Sequence, residues 1–422
     1  MIDTAPDPRY ARLESRSRRF DLLRTAQKLL YVHGTPANEQ HATCWCHRTS
    51  TSVQGGVEML RAGDGSSARL GGVVTCGLVW TCPVCAAKLS ETRRAELSQA
   101  MSAHVGNGGS AYLLTFTFPH ELGDALKGNL EKLDKARQRF QNARTWKAWK
   151  ADAQRVGGVT SLETTFGHNG WHPHLHMLTF TRRGAFGEGE PVNAQGDLAS
   201  ATITELQALW VDSLLKVGLC SNDKVSDAMQ RALVIRGGEH AAEYIAKWGH
   251  DSAWGMSSEL TRQHSKVGSK SVAPRTWHAT PFQLLAMIDS GRRELSAAWD
   301  EYVAAMKGRR MLTWTPGLKG HFGITELTDE HLAAEGKAER PEESRVARLS
   351  YDEFVMVTAS GKLGALLYFV ARYCGDAWAQ EQVSAWIRLE CRAPTEAGVL
   401  GMNVVRRQME ALRNRFVTLP PR

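Results

Sequence analysis

The chain has 422 residues, enough for two or three domains, and 52 Lys plus Arg against 44 Asp plus Glu give a formal charge of +8 and a pI near 9.1. That excess permits a nucleic-acid partner without demanding one, and the longest apolar run, Gly364 to Ala371, is far too short for a bilayer span. With no cationic start leading into an apolar signal segment, the expectation is a soluble, cytoplasmic protein that needs no membrane. Thiols stay reduced there, so clustered cysteines point to metal rather than to disulfides.

In chain order, residues 1 to 40 hold Leu22, Leu23, Ala26, Leu29 and Leu30 at helical spacing among many arginines, a basic amphipathic helix. Residues 41 to 106 form a cysteine-rich module and the helix after it. Cys82-Pro83-Val84-Cys85 has knuckle spacing, two intervening residues letting both thiolates reach one tetrahedral Zn²⁺. Cys76 lies just upstream. The fourth ligand is open between Cys44, Cys46 and, less favoured, His47. Cys220, Cys374 and Cys391 are isolated and read as buried small apolar residues.

Residues 107 to 275 read as a mixed α+β domain. Tyr112 to Phe118 is a strand closed by Pro119. Leu122, Leu126, Leu130, Leu133, Phe140 and Ala143 then trace one face of a single long helix with a basic back. Val156 to Phe166 is the next strand, and Gly167-His168-Asn169-Gly170 a turn. Trp171-His172-Pro173-His174-Leu175-His176 follows on a strand, where alternation throws His172, His174 and His176 onto one face. Three imidazoles buried together without a shared partner would leave several nitrogens unpaired, at roughly 1–3 kcal/mol each, so a metal ion is the better reading. A hairpin about the turn sets Glu163 opposite His174, as a further ligand or a partner for a ring N–H.

Helix Ile203 to Val217 and a short strand Ala232 to Arg236 lead to a helix opening at Gly238, on which His240, Tyr244 and Lys247 share one side. Ser252 to Ser271 reads as a mobile loop. From residue 276 to 422 the expectation is a mostly helical region: Phe282 to Met287, Leu295 to Met306, a charged link from Glu335 to Arg345, then Leu363 to Trp386 and Val404 to Phe416. The basic stretches hold Lys147 and Lys150, and then Arg262, Lys266, Lys270 and Arg275. Trp146, Trp149 and Trp277 lie in or beside them, a mixture suited to phosphates and unstacked bases.

A hard ion such as Mg²⁺ or Mn²⁺ on these imidazoles can polarise a phosphodiester oxygen. A tyrosine hydroxyl can then attack and leave a covalent phosphotyrosine, with Lys247 beside the same phosphate.

His174-Leu175-His176 resembles the His-hydrophobic-His signature of the HUH endonucleases, and its setting resembles the motif of rolling-circle plasmid replication initiators. Leu114-Thr115-Phe116-Thr117 resembles that group's first motif, and Tyr244-Ile245-Ala246-Lys247 the motif holding its nucleophile. Cys76 to Cys85, Thr280 to Leu285 and Leu312-Thr313-Trp314 look like initiators from plasmids of high-GC Gram-positive bacteria. The resemblance implies an HUH core with a five-stranded antiparallel sheet flanked by helices, a zinc module before it and a mostly helical C-terminal region. It also implies nicking and rejoining of one strand at a single-stranded or cruciform plasmid origin, with host helicase and polymerase as partners.

Many relatives in that group carry a glutamate four residues before the tyrosine. Here that place is His240, with Glu239 and Glu243 alongside, and the position four residues after the tyrosine is Trp248, so one tyrosine serves on this helix. Two other readings compete: a single-tyrosine transposase or relaxase, and a zinc-dependent DNA-binding regulator without catalysis.

Overall fold

The computed structural model describes residues 8–51, 56–182, 184–186, 196–247, 277–329, 332, 343–374 and 377–391. In the helix Gly238–Lys247 the side chains of Glu239, His240, Glu243 and Lys247 are outside the described set. The strands are β1 (Val57–Ala62), β2 (Ala68–Gly71), β3 (Ser110–Phe116), β4 (Arg155–Gly167), β5 (Gly170–Thr181), β6 (Leu233–Arg236), β7 (His278–Ala279), β8 (Leu312–Trp314) and β9 (Glu343–Leu349). Contacts divide the chain into two units, residues 90–326 and residues 1–89 with 327–422. The stretch read from sequence as one helical region from 276 onward is therefore shared between the two.

The 90–326 unit is built on the hairpin β4–β5, paired from Arg155↔Thr181 to Gly167↔Gly170 with one register shift between Arg155 and Gly157. Two glycines make its tip possible. Gly170 adopts φ +80°, which side chains disfavour. A Cβ on Gly167 would lie 2.5 Å from the carbonyl oxygen of Trp277, on the edge where β7 pairs. The sheet runs β6-β3-β5-β4-β7, with β8 also on β4, and all its pairings are antiparallel. Six strands are present among the described residues, where the resemblance implies five. The outer edge of β4 is shared by two short pieces, β7 and β8, which take separate stretches of it.

Period-two alternation decides the two faces. Trp171, Leu175 and Met177 are buried on one, beneath the helices Leu126–Asn142, Ala201–Val217 and Ser296–Met306. Phe116 meets Phe140 and Trp210 edge-on, and Trp171 stacks on Tyr302 at 5.4 Å. Each such ring leaving water contributes roughly 1.5–3 kcal/mol, so this face holds the sheet together. The opposite face is apolar only toward one end, where Phe180 packs on Phe322 and His104 Nε2 bridges the carbonyls of Ser110 and Thr181. Toward the hairpin tip the same face carries Thr115, Ser161, Glu163, His174 and His176, all half-buried except the buried Ser161.

The single long helix expected from Leu122 to Ala143 is not formed. Leu122 is 72% exposed ahead of the helix Leu126–Asn142. Ala143 is extended, and a second helix runs Arg144–Asp152. The break turns Trp146 and Trp149 inward, 2% and 5% exposed, stacked on each other at 4.6 Å and packed on Phe140 and Phe186. They are core residues here, not platforms for bases.

In the other unit, β1 pairs with β2 and β9 in a three-stranded antiparallel sheet. Val57, Met59 and Leu349 pack with Phe354, Val357, Leu366, Val370, Val383 and Ile387 in its core. The run Leu363 to Trp386 forms two helices, Leu363–Tyr373 and Ala379–Glu390, parted at an extended Cys374. Cys374, Cys391 and, in the other unit, Cys220 are buried free thiols. Part of the expected link is ordered, since Glu343 begins β9 and pairs with Arg69 at 2.8 Å. Val404 to Phe416 and Ser252 to Ser271 lie outside the described residues. Among the described residues no single helix is long and apolar enough to cross a membrane.

Candidate active site

The strand register gathers one set of side chains. Glu163 stands opposite His174, Ser161 opposite His176, and Thr115 opposite His176 on the other side. Directly paired residues point the same way, so three strands contribute to one patch. Glu163 Oε2 lies 3.6 Å from Nε2 of both His174 and His176. An ion with bonds of ~2.1 Å sets neighbouring ligands roughly 3–3.4 Å apart, so the carboxylate needs to close on each imidazole by only a few tenths of an ångström, and all three donors lie within 4.8 Å of one another. The sheet supplies the remaining control. The Thr115 hydroxyl is 3.0 Å from His176 Nδ1, and His174 Nδ1 is 3.2 Å from the carbonyl of His172. With their Nδ1 atoms engaged, both rings present Nε2 to Glu163.

Tyr244 reaches this group from the helix Gly238–Lys247, which packs on β3. Its hydroxyl donates to Glu163 Oε1 at 2.6 Å, lies 2.7 Å from Ser161 Oγ, and its ring is 4.8 Å from that of His176. Burial alone would raise the pKa of Glu163, but the facing His176 and His174 rings win and hold it well below the usual carboxylate range. The carboxylate is thus ionised and can accept from the phenol on one oxygen while facing the two imidazoles with the other.

His172, expected as a third imidazole ligand, is not in this group. Its ring stacks on His120 at 4.4 Å, nearly parallel, and burial, then the neighbouring His174, His120 and His278, lower its pKa to about 3. The strand's alternation put it on the right face, but it stands two such steps from His176, roughly 13 Å along the strand, and the third donor comes from the neighbouring strand as Glu163. Ser161 was not singled out from sequence, although it sits two residues before Glu163 and so shares its face. Lys147 is exposed and Lys150 partly so on the helix Arg144–Asp152. Arg262, Lys266, Lys270 and Arg275 lie outside the described residues.

In the other unit Cys46, Cys76, Cys82 and Cys85 bring their sulfurs within 4.8 Å of one another. Adjacent sulfurs are 3.6–3.7 Å apart, close to the ~3.8 Å edge of a tetrahedron with 2.3 Å Zn–S bonds. The backbone N–H of Cys85 points back to Cys82 Sγ at 3.4 Å, as the two-residue knuckle requires. Hydrogen bonds from Cys46, Cys76 and Cys82 hold the Cys85 thiol well below its ordinary range. Cys46, bonded by Cys76, and Cys82, desolvated by burial, are pushed well above theirs. A cation shared by the four sulfurs is what lets such thiols ionise together. The donor set fits Zn²⁺. Cys44 is excluded from this group: its sulfur faces the carbonyl of Gln27 at 3.8 Å, and burial raises its pKa to about 11.

Residues 68–193, which hold β3 to β5 and therefore Thr115, Glu163, His174 and His176, match the family described as replication protein, Rep_1. Among curated proteins the chain is 31% identical over 330 residues to "Protein rep" of Streptomyces lividans, covering 66% of this chain and 70% of that one. It is also 31% identical over 148 residues to a "Neomycin resistance protein" of Streptomyces cyanogenus, covering 29% and 34% of the two. No solved structure matches. With a relative aligned over most of both lengths and the family's own region enclosing the two-histidine strand, the chain belongs to the Rep_1 family of replication proteins, the plasmid replication initiators that its motifs resemble.

Proposed function

We propose that this initiator is an HUH nickase, which cuts one strand of plasmid origin DNA through a covalent 5′-phosphotyrosine at Tyr244 and rejoins it at termination. The observation that carries the reading is the 2.6 Å bond from the Tyr244 hydroxyl to the same carboxylate that faces His174 and His176. A nucleophile and a three-donor metal set sharing one side chain is the arrangement that tyrosine transesterification needs.

In this reading Glu163, His174 and His176 hold the ion, of which Mg²⁺ or Mn²⁺ suits the mixed oxygen and imidazole set. When bound, the ion supplies positive charge that polarises the scissile phosphodiester and favours the phenolate. The protein's own groups do the positioning. Glu163, held ionised, is a weak base for a phenol of ordinary pKa ~10, so it aims the hydroxyl rather than carrying its proton away. Ser161 fixes the same oxygen from a second direction. The phenol gives its proton to solvent as its oxygen bonds to phosphorus, the bond to the 3′ oxygen breaks, and that oxygen takes a proton from solvent and leaves as the 3′ hydroxyl. Rejoining is the reverse, the 3′ hydroxyl displacing the tyrosine, so the energy of the original ester is kept. Lys247, Glu239, His240 and Glu243 belong to the same helix turns and remain candidates for aiding either step.

Metal dependence tests the reading on the wild-type chain. Nicking of single-stranded origin oligonucleotides is expected to fall to background in a chelator concentration that leaves one zinc per chain, measured by elemental analysis. Activity should return with Mn²⁺ or Mg²⁺. Full-rate nicking under those conditions rules out a catalytic ion on the two histidines.

A further inference from the structure

Within the unit of residues 1–89 and 327–422, a recess of about 190 Å³ opens between the helix Pro8–Leu30, the turn after Cys46 and the end of the helix Tyr351–Ser360. A single water needs only about 10–15 Å³ of such space, so a larger polar group fits. Its lining holds Arg24, Lys28, His47 and Arg48 and no Asp or Glu. Arg48 Nε and His47 Nδ1 are buried, and neither has a hydrogen-bond partner among the described residues. Buried polar groups in folded proteins are nearly always satisfied, and both of these side chains belong to the lining of the recess.

The local backbone holds this arrangement in place. His47 adopts φ +54°, the left-handed region, which a non-glycine residue occupies at a cost. Gln27 Nε2 ties the turn to the helix, donating to the carbonyls of Thr43 at 3.1 Å and Cys46 at 2.9 Å, and Phe20 packs edge-on against the His47 ring. The opposing charge on the wall is the carbonyl end of the helix Tyr351–Ser360, worth about half an electron. Arg24 already answers it, Nη1 donating to the Ser360 carbonyl at 3.3 Å. That leaves Arg48 and Lys28 as cations facing the space.

We infer that this recess is a phosphate-binding site, taking the tetrahedral oxyanion of a DNA backbone phosphodiester or of a free phosphate compound. Arg48 supplies the guanidinium charge and its donors, His47 an imidazole beside it, and Lys28 a charge at the rim. The site is independent of the tyrosine and its histidines, so the nickase reading can fail without it.

The test is calorimetric titration of inorganic phosphate into the full-length, zinc-containing chain at constant ionic strength, with chloride as the comparison. Saturable phosphate binding is expected, weakened tenfold or more in Arg48→Gln, as loss of a charge-assisted bond implies, and about threefold in Lys28→Gln. Binding of a duplex lacking the origin is then followed against salt. A log–log slope shallower by about 0.9 in both variants identifies a backbone phosphate, and an unchanged slope a free phosphate compound. No saturable binding to the wild type, or wild-type affinity in both variants, overturns the site. The rival account, that these cations only offset the thiolates, predicts that Arg48→Gln loses zinc while Lys28→Gln binds phosphate like the wild type; that result also overturns it.

Discussion

Tyr244→Phe is expected to abolish covalent capture of single-stranded oligonucleotides that tile the origin region of its own replicon, while leaving their non-covalent binding within about twofold. The substitution removes one oxygen. The ring remains against His176 at 4.8 Å, and the helix Gly238–Lys247 keeps its packing on β3. What is lost is the donor to Glu163 and the partner of Ser161, a stability change of about 1 kcal/mol. The expected chemical loss is far larger, roughly 10⁴-fold or more, the scale that follows removal of a covalent nucleophile. Denaturing gels read the captured complex, and anisotropy reads binding. Capture persisting in the variant removes Tyr244 from its role.

The second large effect is expected in the thiol cluster. Cys82→Ser should lower bound zinc from one per chain toward none and destabilise the segment from Cys44 to Leu89 severely. Cys82 is fully buried, with its sulfur 3.6 Å from that of Cys46, so a hydroxyl there leaves three sulfurs and a smaller, harder donor. Structural zinc in small modules contributes on the order of 10 kcal/mol of folding free energy. Removing one of four ligands is therefore expected to cost several kcal/mol, more than most single substitutions. Hydrogen exchange across residues 41–89 and elemental analysis check it together. Cys44→Ser, whose sulfur lies outside the cluster, is the matched comparison and should retain zinc. A stable Cys82→Ser chain with its zinc in place contradicts the structural role.

The elements that carry the site were readable because they rest on local rules. Alternation in β5 put His174 and His176 on one face, and the two-residue turn His168-Asn169 set the register that brings Glu163 opposite His174. What sequence could not supply was distance across the sheet. His172 obeys the alternation yet sits one step too far along the strand and stacks on His120 instead. Ser161 escaped notice because a serine on a strand has no distinguishing pattern until a helix from 80 residues later lays a tyrosine against it.

The same limit explains the fold-level differences. Trp146 and Trp149 lie in a basic helix, and only the break at Ala143 shows that they turn into the core. The choice between Cys44 and Cys46 is likewise set by the short turn Ala42–Trp45, which sends neighbouring thiols in different directions. β9 joins β1 across nearly 300 residues, a pairing that no local periodicity encodes.

The claim at the centre, that the hydroxyl held by Glu163 is the group that takes the phosphate, is tested most directly by mapping the covalent product. Wild-type chain is reacted with an origin oligonucleotide in Mn²⁺, digested, and sequenced by tandem mass spectrometry. The peptide carrying a 5′-linked nucleotide should contain Tyr244 as the modified residue. An adduct on any of the other seven tyrosines of the chain, or nicked DNA with no protein attached at any time, contradicts the account.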